Sequence, residues 1–147
     1  MSLEKLAAEL SADPLARGYS SMSDGAVSDD LRSEYRTETK SIGSSELLAW
    51  SAADGRLTRL QVAADDTAHP AHAIASAACL LISRDDTALD LAKPDRVEFL
   101  RALVAASVLT DLDRDSLVAL SIEPVSRAAE LGLGRCRPGE IAMAKSL

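Results

Sequence analysis

Leu3, Leu6, Ala7 and Leu10 recur at helical spacing, which predicts a short amphipathic helix from about Ser2 to Leu10. Asp13-Pro14 should end it, because the residue before a proline is pushed out of the helical region. After Gly18, Ser23 can cap a second helix running toward Leu31, with Asp24 at its positive end. Residues 33–45 are polar and weakly periodic, which predicts an extended arm or a long loop. Ser44 then reads as a cap, with Leu47, Leu48 and Trp50 on the apolar side of the next helix. Asp54-Gly55 is a turn signal, and Leu57, Leu60 and Val62 to Ala64 suggest another short helix.

The strongest helical patterns follow. Pro70 suits a first turn, and Ala71 to Ile82 is apolar nearly all round except His72 and Ser76, as in a helix packed on several sides. Pro94 opens another helix, whose stripe is Val97, Leu100, Val104 and Val108. Thr110 to Asp113 can form a capping box of the acidic variant, leading into Leu117 to Leu120. Pro124 to Leu131 reads as a short helix with Gly132 just past its end, and Pro138 to Ile141 starts a last one. The expected fold is all-α: a compact bundle of short helices with a polar arm or loop near residues 33–45. It is expected as a single helical domain, 1–147, with N-terminal helices and arm at 1–45 and the helical core and C-terminal helix at 46–147.

Composition supports helices. The 147 residues are 47% hydrophobic but only 3% aromatic, and much of the apolar share is alanine. The core must come from Leu, Val, Ile and closely approaching Ala, which suits helices better than sheets. A chain of this size can bury roughly two-thirds of its unfolded surface, enough for a core without metals or disulfides. The net charge of −7 sets the field of the whole chain against phosphate, so specific nucleic-acid binding is not expected. The N-terminus lacks the pattern of a signal peptide and no apolar run reaches membrane-spanning length. No membrane partner is expected, and the protein is expected to be made in solution.

Candidate chemistry fails position by position. Cys79, in Ala77-Ala78-Cys79-Leu80-Leu81, reads as a buried structural thiol. Cys136, between Arg135 and Arg137, reads as an ordinary surface or edge cysteine, with flanking charge favouring thiolate wherever it is exposed. Asp111-Leu112-Asp113-Arg114-Asp115 opens like a calcium loop, but the required Gly and Glu positions hold Ser116 and Ile122, so a solvated helix start fits better. His69 and His72 could approach one metal, yet no second ligand cluster completes a zinc site, and capping or surface roles fit better. Gly132-Leu133-Gly134 lacks the third glycine of a dinucleotide loop, where Arg137 stands. Asp29-Asp30, Asp65-Asp66 and Asp85-Asp86 read as solvated surface charge. No cofactor, metal or catalytic set is expected.

Asp13-Pro14-Leu15-Ala16-Arg17-Gly18-Tyr19 is more informative: a rigid proline, a permissive glycine, an arginine and an aromatic share one short loop. Arg and Tyr are enriched at interface hot spots. A structured turn with Tyr19 packed on its own domain, and a contact with another subunit, both fit.

Several runs carry a resemblance. Asp13 to Ser20, then Met22-Ser23-Asp24, Tyr35-Arg36-Thr37 and Ile42-Gly43-Ser44-Ser45-Glu46 form its N-terminal part. Val125 to Gly134, followed by Arg137-Pro138-Gly139-Glu140-Ile141, forms its C-terminal part. Together they resemble small structural-region proteins of tailed bacteriophages that share an Asp-Pro-Leu-x-Arg-Gly-Tyr motif. The resemblance covers both ends in the same order, while about Trp50 to Leu120 match only in helical character. It implies a virion or assembly role and no reaction. By size and fold, such a protein is similar to head–tail connectors or adaptors, which form rings beneath the portal. The implied partners are copies of itself and the portal and tail-side neck proteins, with a passive DNA channel compatible with the acidic total. The expected contact residues are Asp13, Pro14, Leu15, Arg17, Gly18 and Tyr19 in the loop, Tyr35 and Arg36 in the polar segment, and Arg135 and Arg137 before the last helix. The alternatives are a non-virion assembly chaperone or small binding module, and a minor head or tail-completion protein.

Overall fold

The computed structural model describes residues 2–86 and 88–147. The chain forms two compact units, one of residues 1–38 and 124–147, the other of residues 39–123. The chain leaves the first unit after Glu38 and re-enters it at Pro124.

In the first unit, α1 (Leu3–Ala12) is capped by the Ser2 hydroxyl, which accepts from the Lys5 N–H at 3.3 Å. It runs two residues past the expected Leu10, because Asp13 ends it in a left-handed conformation (φ 40°) with its N–H still bonded to the Glu9 carbonyl. Helix α2 (Asp24–Arg32) starts where Ser23 predicted, with the hydroxyl accepting from the Ala26 N–H. Strand β1 (Glu34–Thr39), of which residues 34–38 belong to this unit, pairs with β2 (Ile122–Ser126), of which residues 124–126 do, and Ser126 caps the short helix α8 (Arg127–Glu130). Gly132 follows with φ 66°, the left-handed conformation that suits a glycine after a helix. Helix α9 (Pro138–Lys145) packs on both α1 and α2. The core of this unit is Leu6, Leu10, Tyr19, Val27, Leu31, Ala128, Leu133, Cys136, Ile141 and Ala144.

The second unit holds α3 (Ser44–Ala52), α4 (Arg56–Asp65), α5 (His72–Ile82), α6 (Pro94–Ala105) and α7 (Asp111–Leu120). Its core runs from Ile42, Leu47 and Trp50 through Leu60, Ala75, Ala78 and Ile82 to Leu100, Leu103 and Leu117. Ile42 and Leu89 exchange both backbone hydrogen bonds at 2.9 Å. The Thr110 capping box forms as predicted: its hydroxyl accepts from the Asp113 N–H, and the Asp113 carboxylate accepts from the Thr110 N–H.

Several expectations are corrected. The protein is mainly helical but not all-α, since part of the polar segment 33–45 is β1. All but Tyr35 of that strand is exposed, so neither face had to be apolar and the period-2 pattern that reveals a half-buried strand is missing. Pro124 to Ser126 is strand and not helix. A proline is tolerated there because, among the described residues, the sheet has two strands and each is an edge. Gly43, not Ser44, caps α3, and the Glu46 carboxylate accepts its N–H at 3.2 Å. On α5 the fully buried face is Ala75, Ala78 and Ile82, while Leu80 is 66% exposed. On α6 the buried pair is Leu100 and Leu103, and Val108 lies past the end of the helix. Both chain ends share a core, because α9 buries Ile141 and Ala144 with residues of α1 and α2. Among the described residues no helix is long and apolar enough to cross a membrane.

Candidate functional site

The loop after α1 is organised by one side chain. The Asp13 carboxylate accepts the N–H of Arg17 at 2.8 Å and of Gly18 at 2.7 Å. These bonds, the Arg17 N–H first, hold its carboxyl below the usual range. Ala16 (φ 51°) and Gly18 (φ 80°) both take left-handed conformations to close the bracket. The result is a fixed tip on which Pro14, Leu15 and Ala16 are exposed.

Tyr19 turns the other way. Its side chain is fully buried, so of the two readings of the loop it adopts packing on its own unit and is withdrawn from any contact surface. Burial, and then the nearby Asp30 charge, push its phenol up to about 12.

The unit also gathers charges that lie far apart in sequence. Arg127 grips both Glu9 oxygens at 2.7 Å and reaches Glu130 at 2.6 Å. Glu130 accepts in turn from the Tyr35 hydroxyl and from Arg36 at 2.9 Å. The Tyr35 hydroxyl bond, then the one from Arg127, hold the Glu130 carboxyl down at about 2. Arg17 lies over the Tyr35 ring at 5.1 Å from its centre and pairs with Asp30 at 2.8 Å. Arg36 approaches the same ring at 5.8 Å. Three sequence-predicted residues, Arg17, Tyr35 and Arg36, are therefore brought together. Their partners Glu9, Asp30, Arg127 and Glu130 were missed. Only Glu9 left a signal: it sits on the apolar stripe of α1, three residues after Leu6, where a charge must find a partner. Asp30 was read as solvated, yet its carboxylate is partly buried against Arg17.

Arg135 and Arg137 are exposed, and neither side chain forms an ion pair with a described residue. Cys136 between them is a correction: it is fully buried, and its carbonyl accepts a 2.6 Å hydrogen bond from the buried Ser28 hydroxyl. Burial, not the neighbouring arginines, dominates its thiol and pushes it up, which disfavours thiolate. Cys79, expected to be buried, is half-buried and its thiol is also pushed up by burial.

In the second unit Asp113, read as solvated, is 4% exposed between two arginines. Arg56 donates to it at 2.7 Å, Arg59 at 2.5 Å, and Arg56 also donates to the Trp50 carbonyl at 2.8 Å. Burial pushes its carboxyl up, but the Thr110 N–H and the arginines outweigh that and hold it below the usual range. His69 accepts the Ala71 N–H through Nδ1 at 3.1 Å, a capping role at the start of α5. Among the described residues no group of three His, Cys, Asp or Glu could hold a metal ion. The chain matches no protein-family model, no curated protein and no solved structure.

Proposed function

We propose that this chain is a structural subunit of a tailed-phage particle, a head–tail connector or adaptor that assembles into a ring at the neck and carries out no reaction. The observation that carries the reading joins sequence and fold. The two stretches that resemble phage structural-region proteins lie at opposite ends of the chain, and both contribute to the first unit, residues 1–38 and 124–147. The helical middle from about Trp50 to Leu120, which lacks the resemblance, lies in the other unit, together with the resembling run Ile42 to Glu46. A motif that keeps two distant segments in one folded body fits a body that other subunits recognise.

Within that body the contact surface is narrower than the sequence suggested. The bracketed tip presents Pro14 and Leu15, while Asp13, Arg17 and Gly18 hold it in place and Tyr19 anchors it from inside. Arg135 and Arg137, exposed in a chain of net charge −7, offer a second contact to an acidic neighbour. In this reading the neighbours are further copies and the portal and tail-side neck proteins, around a channel that DNA crosses without being held.

Mass spectrometry of purified particles tests the proposal. The protein should be present at the fixed copy number of a ring. Its absence from mature particles would turn the reading toward an assembly chaperone or another binding module outside the virion. Copies without a ring-like stoichiometry would favour a minor head or tail-completion protein.

A further inference from the structure

Strand β1 is an edge. It pairs with β2 on one side, and among the described residues no strand pairs with its second side. Lys40, next in the chain, turns its N–H to the Ser121 carbonyl at 2.7 Å, toward β2. Backbone groups alternate sides along an extended strand. The N–H and C=O groups of Tyr35, Thr37 and Thr39 therefore point to the open side. Such an edge is a template for another strand. The opposite edge is different, because Pro124 in the middle of β2 has no N–H to donate.

The side chains choose the occupant. Glu34, Arg36, Glu38 and Lys40 alternate along the extended segment, and their charges are antisymmetric about Thr37. Within one chain Arg36 pairs with Glu38 and Glu130, and Lys40 with Glu46, so association exchanges these exposed partners for those of the second copy. When a second copy pairs antiparallel with Thr37 opposite Thr37, Glu34 faces Lys40 of the second copy and Arg36 faces Glu38 of the second copy. By symmetry each of these pairs occurs twice, and no like charges meet. The same backbone alternation permits registers shifted by two residues. Those place Arg36 opposite Arg36 or Glu38 opposite Glu38, which is destabilising. One permitted register thus has every cross-strand charge matched, and its neighbours do not.

We infer that β1 is a self-recognition edge through which two copies of this chain pair antiparallel about Thr37. The two small sheets would then join into one of four strands. This goes beyond the ring reading, since a two-fold contact joins copies in pairs and does not by itself close a ring.

Sedimentation equilibrium of the full chain across a concentration series tests it. The wild type should show a concentration-dependent monomer–dimer equilibrium. E34K sets a lysine against Lys40 of the second copy, and K40E sets a glutamate against Glu34 of the second copy. Each variant alone should therefore dimerise at least about tenfold more weakly. An equimolar mixture of E34K and K40E should regain the dimer, because the two altered faces complement each other. T37P removes an N–H on the open side only, so it should abolish the dimer while the circular dichroism of the chain is retained. A wild type that stays monomeric at millimolar concentration overturns the inference. So does self-association that neither charge variant weakens, or a mixture that stays monomeric. Each test can fail alone: absence from particles bears on the particle reading, and a persistent monomer bears on this edge.

Discussion

Tyr19 buries a ring and a hydroxyl together, and the hydroxyl lies beside Asp30 without a hydrogen bond of good geometry. A buried donor without a partner costs about 1–3 kcal/mol, so removing it should not hurt. Tyr19→Phe should leave the unfolding free energy unchanged or slightly higher, whereas Tyr19→Ala should lower it by about 3–5 kcal/mol through the cavity left behind. Denaturant titration of the two variants distinguishes a packing anchor from a polar contact. Glu130 gives a second residue-level expectation. Its folded carboxyl titrates at about 2 against an ordinary 4.5, so the folded state favours the charged form. The stability this lends is complete above pH 4.5 and is lost as the pH falls through about 2. Unfolding measured from pH 6 down to about 2 should show a shallower acid loss in Glu130→Gln than in the parent. An equal slope in both would mean that other carboxylates carry the acid sensitivity.

At the scale of elements, the Asp13–Tyr19 loop is held by backbone conformations as much as by contacts. Gly18 sits at φ 80°, where a Cβ would also meet the Ser21 hydroxyl at 3.4 Å. Gly18→Ala should cost about 1 kcal/mol or more, since alanine resists a positive φ. If the exposed tip is a contact, the same change should reduce incorporation into particles more than it reduces stability. The capping box of α7 is a separate case. Thr110 and Asp113 serve the helix start, but Asp113 also neutralises Arg56 and Arg59. Thr110→Ala should therefore cost about 1 kcal/mol as a lost cap. Asp113→Ala should cost about 3–5 kcal/mol, because it leaves the buried Arg56 charge without this partner. Thermal or chemical unfolding of both variants tests the order. The start of α7 was legible in sequence from its cap spacing. The second role of Asp113 was not, because its partners lie more than fifty positions away on α4.

At the scale of the molecule, the second unit is one continuous stretch, residues 39–123, with its own buried cluster from Ile42 to Leu117. A continuous segment with its own core should fold alone. A fragment of those residues is expected to keep helical circular dichroism and a cooperative thermal transition. Loss of both would show that the second unit depends on the first. The first unit cannot be excised in the same way, because its two segments are separated by the whole of residues 39–123.

The sequence by itself determined the helices and several of their ends, because those depend on neighbours within about four positions. Ser23, Thr110 and Gly132 act on backbone groups a turn away, and their roles follow from spacing alone. Tertiary structure alone decided what depends on residues distant in the chain. It paired β1 with β2, whose exposed surfaces imposed no alternation to read. It gathered Glu9, Tyr35, Arg36, Arg127 and Glu130 into one network across more than a hundred positions. It also buried Cys136, which sits between two arginines, and Tyr19, which follows a glycine, because burial is set by what the chain folds against and not by what adjoins it.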